Sequence, residues 1–240
     1  MMQQIITPDM TSPRQLALDE ALLLAAQAGG GEAFRTWEFC RPTLVLGRSS
    51  KVAEEVNRGH CDDHGIDVLR RCSGGASVVA GPGCLMYSVV LSLNANPELR
   101  KIDLAHRYVM GRVSAAVRRQ QPEIVLQGTC DLTWRDRKFS GNSLRIARDH
   151  LLYHGTILYS ADLRMIADCL GHAPRQPDYR AGRHHADFIT NVPIDAKICR
   201  DDLAIEFGAA TASGPNADVL HRMTELLANR YDNPLWHHRH

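Results

Sequence analysis

Apolar residues follow two rhythms along this chain, one helical and one strand-like. From residue 16 to residue 26 they form an almost continuous run, Leu16-Ala17-Leu18 and then Ala21 to Ala26, interrupted by Asp19 and Glu20, which reads as a helix. Ser12 with Gln15 three residues on has the capping-box pattern, Pro13 suits the first turn, and Gly29-Gly30-Gly31 closes the segment. Helical spacing returns over 103–120 through Leu104, Val109, Val113 and Val117, over 161–170, and over 218–230. Between these lie β-type runs at 43–46, 66–69 and 84–93. From 131 to 159 three β-like runs are separated by polar breaks at Arg135-Asp136 and Arg148-Asp149, which predicts an antiparallel meander with Lys138 early on its middle strand. The polar stretch 171–191 reads as a long loop, a feature more often functional than idle in a compact domain. The tail 236–240 reads as frayed.

Composition narrows the picture. With 240 residues and 44% hydrophobic content the chain can bury one substantial core, so a single domain over 1–240 is expected. Its 28 basic and 27 acidic residues nearly cancel, leaving no broad field to attract nucleic acid or a membrane surface. The basic clusters also lack interleaved aromatics for base stacking. No run approaches the length of a membrane span, and the first apolar run, broken by two carboxylates and preceded by no basic segment, is not a signal peptide. Seven cysteines, none at Cys-x-x-Cys spacing, argue against a disulfide framework or a zinc ribbon and for a reducing cytoplasm. Neither a Walker-type phosphate loop nor a His-Glu-x-x-His or Gly-x-Ser-x-Gly motif occurs.

Candidate chemistry gathers at two places. Arg70-Arg71-Cys72-Ser73-Gly74-Gly75-Ala76 and Arg137-Lys138-Phe139-Ser140-Gly141-Asn142 each combine cationic side chains with glycines, which let a backbone approach an anion closely. Lys138 is one of only four lysines in a chain that otherwise uses arginine for charge. Its compact ammonium can meet a carboxylate oxygen and a phosphate at one point, where a guanidinium presents a wide fork. A second basic group, Arg180, Arg183, His184 and His185, forms either an anion patch or a solvated loop face.

These residues resemble the lipoate-protein ligase family, whose usual patterns are Arg-Arg-x-Ser-Gly-Gly-Gly and Arg-Lys-x-Ser-Gly-Asn. The resemblance runs on through His154-Gly155-Thr156, Arg183 and Thr190-Asn191, and covers most of 13–192. It implies the α+β fold of lipoate and biotin ligases (class II synthetase-like), a mixed, largely antiparallel β-sheet flanked by helices. It also implies activation of lipoate by ATP with Mg2+ to lipoyl-AMP, then transfer to a lysine of a lipoyl-accepting domain. Lys138 is then the catalytic residue. Arg71, Ser73, Gly74, Gly75, the strand Ala76-Ser77-Val78-Val79, Gly141, Asn142, His154 and Gly155 bind the acyl-adenylate, with Arg71 on the phosphates. Ala76 stands in for a third glycine, and Ala80-Gly81-Pro82-Gly83-Cys84 replaces a His-Asp…Asn string.

Two further readings stay open. An octanoyl or lipoyl transferase of the same fold would use an already activated donor and a cysteine nucleophile, yet Cys130 and Cys169 do not match its pattern and read as structural thiols. A non-catalytic acyl- or nucleotide-binding module is the other. An acyl trough is expected among Leu46, Val78, Leu85 and Tyr87, residues equally suited to the core. Many such ligases carry a small C-terminal accessory domain that is not evident here, so a separate accessory chain is a possible partner.

Overall fold

In the computed structural model, which describes residues 2–171, 176–209 and 211–240, the chain forms one six-stranded and two three-stranded sheets with helices packed among them. β1 (Gln3–Ile5) leads to α1 (Ser12–Gln27), β2 (Ala33–Trp37), β3 (Thr43–Leu46), α2 (Val52–Glu55), α3 (Arg58–Asp63), β4 (Asp67–Arg70), β5 (Val78–Ala80) and β6 (Cys84–Ser92). After α4 (Ile102–Arg118) come β7 (Val125–Gln127), β8 (Asp131–Trp134), β9 (Arg137–Ser140), β10 (Asn142–Ile146) and β11 (His150–Leu158). Then follow α5 (Leu163–Cys169), α6 (His185–Phe188), α7 (Ala196–Glu206), β12 (Thr211–Ser213), α8 (Ala217–Leu226) and α9 (Pro234–His237). Among the described residues no helix is long and apolar enough to cross a membrane.

The main sheet has the order β10-β11-β6-β2-β1-β12, parallel where β1 meets β2 and β12 and antiparallel elsewhere. Sheets β4-β3-β5 and β7-β8-β9 complete a mixed, mainly antiparallel α+β fold, with helices packed on the main sheet. Twelve of the 16 residues of α1 are buried, so this helix has no wet face and the carboxylates of Asp19 and Glu20 must find partners inside. Glu20 does so with Arg145, Arg230 and the Tyr231 hydroxyl, which ties α1 to the chain end.

Three expectations change. Ser12 and Gln15 form no capping box: Thr11 stands at the cap without a side-chain bond, Ser12 Oγ pairs with Thr43 Oγ1 at 2.7 Å, and Gln15 turns to Arg35. The meander begins as expected, with Arg135 and Asp136 at φ of +50° and +58° making a two-residue hairpin, but its middle strand breaks at Gly141. There the chain leaves the β7-β8-β9 sheet and enters the main one. The tail is docked rather than frayed: His237 Nδ1 accepts from the Arg70 amide at 2.9 Å, and Trp236 Nε1 donates to the Arg70 carbonyl at 2.9 Å. The long loop expected over 171–191 holds a helical turn at Asp178–Arg180 and α6; its positions 172–175 lie outside the described residues.

Candidate active site

Successive residues at the end of β4 point to opposite sides, which divides the work of the Arg-Arg pair. Arg70, fully buried, donates to the carbonyls of Gly47 at 2.8 Å, Ser50 at 2.7 Å and His237 at 2.9 Å. Arg71 faces the motif loop, donating from Nε to Ser73 Oγ at 3.0 Å and from the guanidinium ends to Val45 O at 3.1 Å, Ala76 O at 3.0 Å and Gly74 O. The loop is therefore wound around the Arg71 guanidinium. Gly75 has a φ of +82°, and a Cβ there would stand 3.0 Å from Arg71 Nη2. Gly47, not singled out from sequence, is held more tightly still, because its Cβ would fall 1.9 Å from the Gly75 carbonyl oxygen. Gly75→Val is expected to weaken binding of an acyl-adenylate analogue by at least about tenfold, through backbone strain and a displaced Arg71, with the fold retained. Calorimetry showing wild-type affinity would reduce the glycine to an ordinary turn residue.

Behind the loop runs a buried relay. His154 bonds Ser73 Oγ through Nε2 and Asp19 Oδ2 through Nδ1, the latter at 3.0 Å. Asp19 also accepts from Ser88 Oγ at 2.9 Å and from Arg35 Nη1 at 3.1 Å. His154 is thus both a hydrogen-bonded core residue and part of the cleft wall. Ser73 and Gly74 sit in the loop without lining the cleft, Ser73 being turned onto Arg71 and His154 and Gly74 accepting from Ser143 Oγ at 2.8 Å.

Lys138 is placed by a bulge in β9. Thr133 pairs with Lys138 and Leu132 with Ser140, so Phe139 is the extra residue, and such bulges re-aim neighbouring side chains. Its ammonium lies 2.8 Å from Asp131 Oδ1, while Tyr179 donates to Asp131 Oδ2 at 2.7 Å. Gly141 keeps this space clear, since a Cβ there would approach Lys138 Nζ to 3.3 Å. Asn142 braces the turn, donating to Cys130 O at 2.6 Å and Ser140 Oγ at 3.0 Å and accepting from Tyr87 OH. Gly155 is needed opposite, because its Cβ would collide with Asn142 Oδ1 at 1.7 Å.

Two cavities of about 140 Å³ and 130 Å³ share Ala76, Ser77, Val78, Lys138, Gly141 and Thr156, so Lys138 stands near the middle of one cleft. One half is lined by Leu16, Trp37, Val45 and Met86 with His154 and Asn142. The other is lined by Val79, Phe139, Leu158, Ile166, Phe188 and Ile189 with Glu55, Arg180 and His185. Of the expected trough only Val78 lines it; Leu46, Leu85 and Tyr87 point into the core, and their strand neighbours Val45 and Met86 form the wall instead. In strands apolar on both faces, pattern alone does not give the parity. Ser77 gives both its N–H and its hydroxyl to Glu55 Oε2, at 2.8 and 2.7 Å. Asp19, Glu55 and Asp131 were missed from sequence. The signal for Asp19 was present, a carboxylate inside an apolar helical run; those for Glu55 and Asp131 arise only from the fold.

The thiols are quiet. Burial pushes Cys130 up to about 11 and Cys169 up to about 12, so neither is a thiolate at neutral pH, and Cys169 is wholly enclosed. Cys130→Ser and Cys169→Ser, made singly, are expected to keep acyl transfer within about threefold of wild type. A loss of orders of magnitude, with a thioester trapped on the wild-type protein, would identify that cysteine as a nucleophile.

A family model described as the lipoyl protein ligase A/B catalytic domain matches residues 12–193. Lipoate–protein ligase 1 of Staphylococcus aureus is 28% identical over 170 residues, covering 70% of this chain and 50% of that protein. An octanoyltransferase of Carboxydothermus hydrogenoformans is 30% identical over 166 residues, covering 62% and 61%. Of the ligases matched in Staphylococcus and Mycoplasma the chain spans only 37 to 50% of the length. Three solved structures share the fold along nearly the whole chain. A Thermoplasma acidophilum protein with bound lipoic acid superposes with a TM-score of 0.85 at 18% identity, covering 100% of both chains. A bi-partite lipoate protein ligase described with its E2 lipoyl domain, from the same organism, gives 0.82 at 19%, covering 99% and 97%. A lipoate-protein ligase A bound with ATP gives 0.81 at 19%, covering 99% of each.

Proposed function

We propose, from the premise that this chain belongs to the lipoyl protein ligase A/B catalytic domain family, that it activates lipoate with ATP and passes the lipoyl group to a lysine of a lipoyl-accepting domain. The observation that carries this reading is the position of Lys138 at the junction of two cavities, each lined by apolar side chains with a few charged ones. The acyl chain enters the half walled by Leu16, Trp37, Val45 and Met86. The nucleoside enters the other, along β5, an edge strand of its sheet.

At the junction a carboxylate oxygen of lipoate attacks the α-phosphorus of ATP, pyrophosphate departs with the electron pair of the broken P–O bond, and lipoyl-AMP forms. The neutral amine of the substrate lysine then attacks the acyl carbonyl, the C–N bond of the amide forms as the acyl C–O bond to AMP breaks, AMP leaves with that electron pair and the amine's proton passes to solvent. Lys138 offsets negative charge in both steps and Asp131 holds it in place. Arg71 acts here by shaping the loop of Gly74, Gly75 and Ala76. Mg2+ comes with the nucleotide. Binding of lipoate and ATP by similarly folded proteins, and the description of one with an E2 lipoyl domain, support the choice of substrates and partner. The bi-partite relative supports testing a separate accessory chain as well. Free thiols throughout suit a reducing compartment such as the cytoplasm.

The octanoyltransferase relative favours a second reading, acyl transfer from a carrier thioester, against which stand the raised thiol pKa values of Cys130 and Cys169. Intact-mass analysis of a lipoyl domain incubated with this protein, lipoate, ATP and Mg2+ separates the two. Modification that requires ATP, with lipoate-dependent pyrophosphate release, is the expected result. Modification only from an octanoyl carrier thioester overturns the ligase reading.

A further inference from the structure

Among the described residues Arg180 is a buried cation without an acidic partner. The residue is 9% exposed, its Nε donates to Arg183 O at 3.0 Å, Nη2 reaches His185 Nδ1 at 3.5 Å, and the guanidinium carbon lies 5.0 Å from the Phe188 ring centre. Among the described residues no carboxylate forms an ion pair with it, and the sequence supplies none at 172–175. The rest of the basic cluster is different. Arg183 is engaged by Asp136, at 3.2 Å, and by the carbonyls of Asp136 and Tyr179, while Lys138 has Asp131. Among the described residues Arg180, unlike Arg183 and Lys138, has no counter-charge, and it lines both the Lys138 cleft and an adjoining hollow of about 570 Å³.

His185 joins the two cations. Burial, with Arg180 and Lys138 close by, pulls its imidazole down to about 4, so the ring is neutral at pH 7. Accepting at Nδ1 from Arg180 leaves the ring proton on Nε2, available as a donor. An uncompensated guanidinium in such a place is costly, whereas a phosphate held by a forked donor would satisfy it.

We propose that Arg180, with His185 beside it, binds phosphate oxyanions of the activated donor, which on the ligase reading above are the terminal phosphates of ATP that leave as pyrophosphate. Lys138 then serves the α-phosphorus side of the breaking bond and Arg180 the leaving side. The same chemistry could serve the phosphates of a coenzyme A-type thioester if that reading fails.

Titration calorimetry on wild type, Arg180→Gln and Arg180→Lys tests this with pyrophosphate, Mg-ATP, octanoyl-coenzyme A and a lipoyl-sulfamoyl adenosine that lacks terminal phosphates. Arg180→Gln is expected to weaken pyrophosphate and ATP by about 10- to 100-fold, to leave the sulfamate within about threefold, and to be partly rescued by lysine. Retained sulfamate affinity also certifies the folded cleft; if the glutamine variant loses it, the lysine variant carries the comparison. Should wild type ignore ATP and pyrophosphate while Arg180→Gln weakens octanoyl-coenzyme A, the ligase reading falls and the phosphate site stands. Unchanged affinity for every phosphate ligand overturns the site and leaves Arg180 a packing residue on Phe188.

Discussion

Lys138→Ala is expected to lower the rate of acyl transfer by two to three orders of magnitude while the protein stays folded. Once substrates fill the cleft and exclude water, one charge-assisted contact to developing negative charge contributes roughly 3–4 kcal/mol, which is about that factor in rate. The fold loses little, because the Lys138 side chain is 27% exposed and a partly solvated ion pair contributes about 1 kcal/mol or less. Asp131 keeps the Tyr179 hydroxyl. Lys138→Arg should also be impaired, since a planar fork does not fit the space that Gly141 leaves for a single ammonium. Adenylate formation and transfer are to be measured separately, with circular dichroism for folding. Rates within a factor of a few of wild type in both would make Lys138 an ordinary strand residue.

Asp19→Ala should be the most damaging stability change near the cleft, lowering the unfolding free energy by about 3–5 kcal/mol. Arg35 and Asp19 are 1% and 2% exposed, so removing the carboxylate strands a cation in the core of the main sheet. Ser88 and His154 lose an acceptor at the same time. What remains to Arg35 is Gln15 and the face of Trp37, at 3.9 Å. Urea denaturation with an unchanged m-value gives the number directly. A loss under about 1 kcal/mol would mean that Gln15 and Trp37 suffice to hold the guanidinium.

Features written in short stretches of chain are legible in the sequence alone. The glycine-arginine loop, the Lys138 strand, α1 and α4 follow from local spacing, and the Arg135-Asp136 turn falls where a polar pair separates two β-like runs. What escaped depends on partners distant in sequence. β2 carries Arg35 in the middle of a central strand, a buried charge whose partner, Asp19 of α1, is brought to it only by the fold. The docked tail depends on Arg70, more than 160 residues earlier in the chain. The parity of the trough was hidden for another reason: β6 is apolar on both faces, so Leu85, Met86 and Tyr87 look alike until the strand is paired. Asp19 and Glu20 stand out in the sequence as an oddity in an apolar helix, and their meaning comes only with the fold, Asp19 in the relay behind the loop and Glu20 on Arg145, Arg230 and Tyr231.

The break at Gly141 puts Lys138 on one hydrogen-bond ladder and Asn142, His154 and Gly155 on another. A molecule filling the cleft therefore bridges two sheets whose backbone bonding is independent. By mass action its binding free energy adds to the stability of the folded state, RT ln(1 + [L]/Kd), and here that addition acts across the seam between the ladders. Occupancy and cooperativity of unfolding are linked by this arrangement: the occupied protein resists separation of its two sheets, and the empty one relies at the seam on Thr156, Asn142 and the packing beneath them.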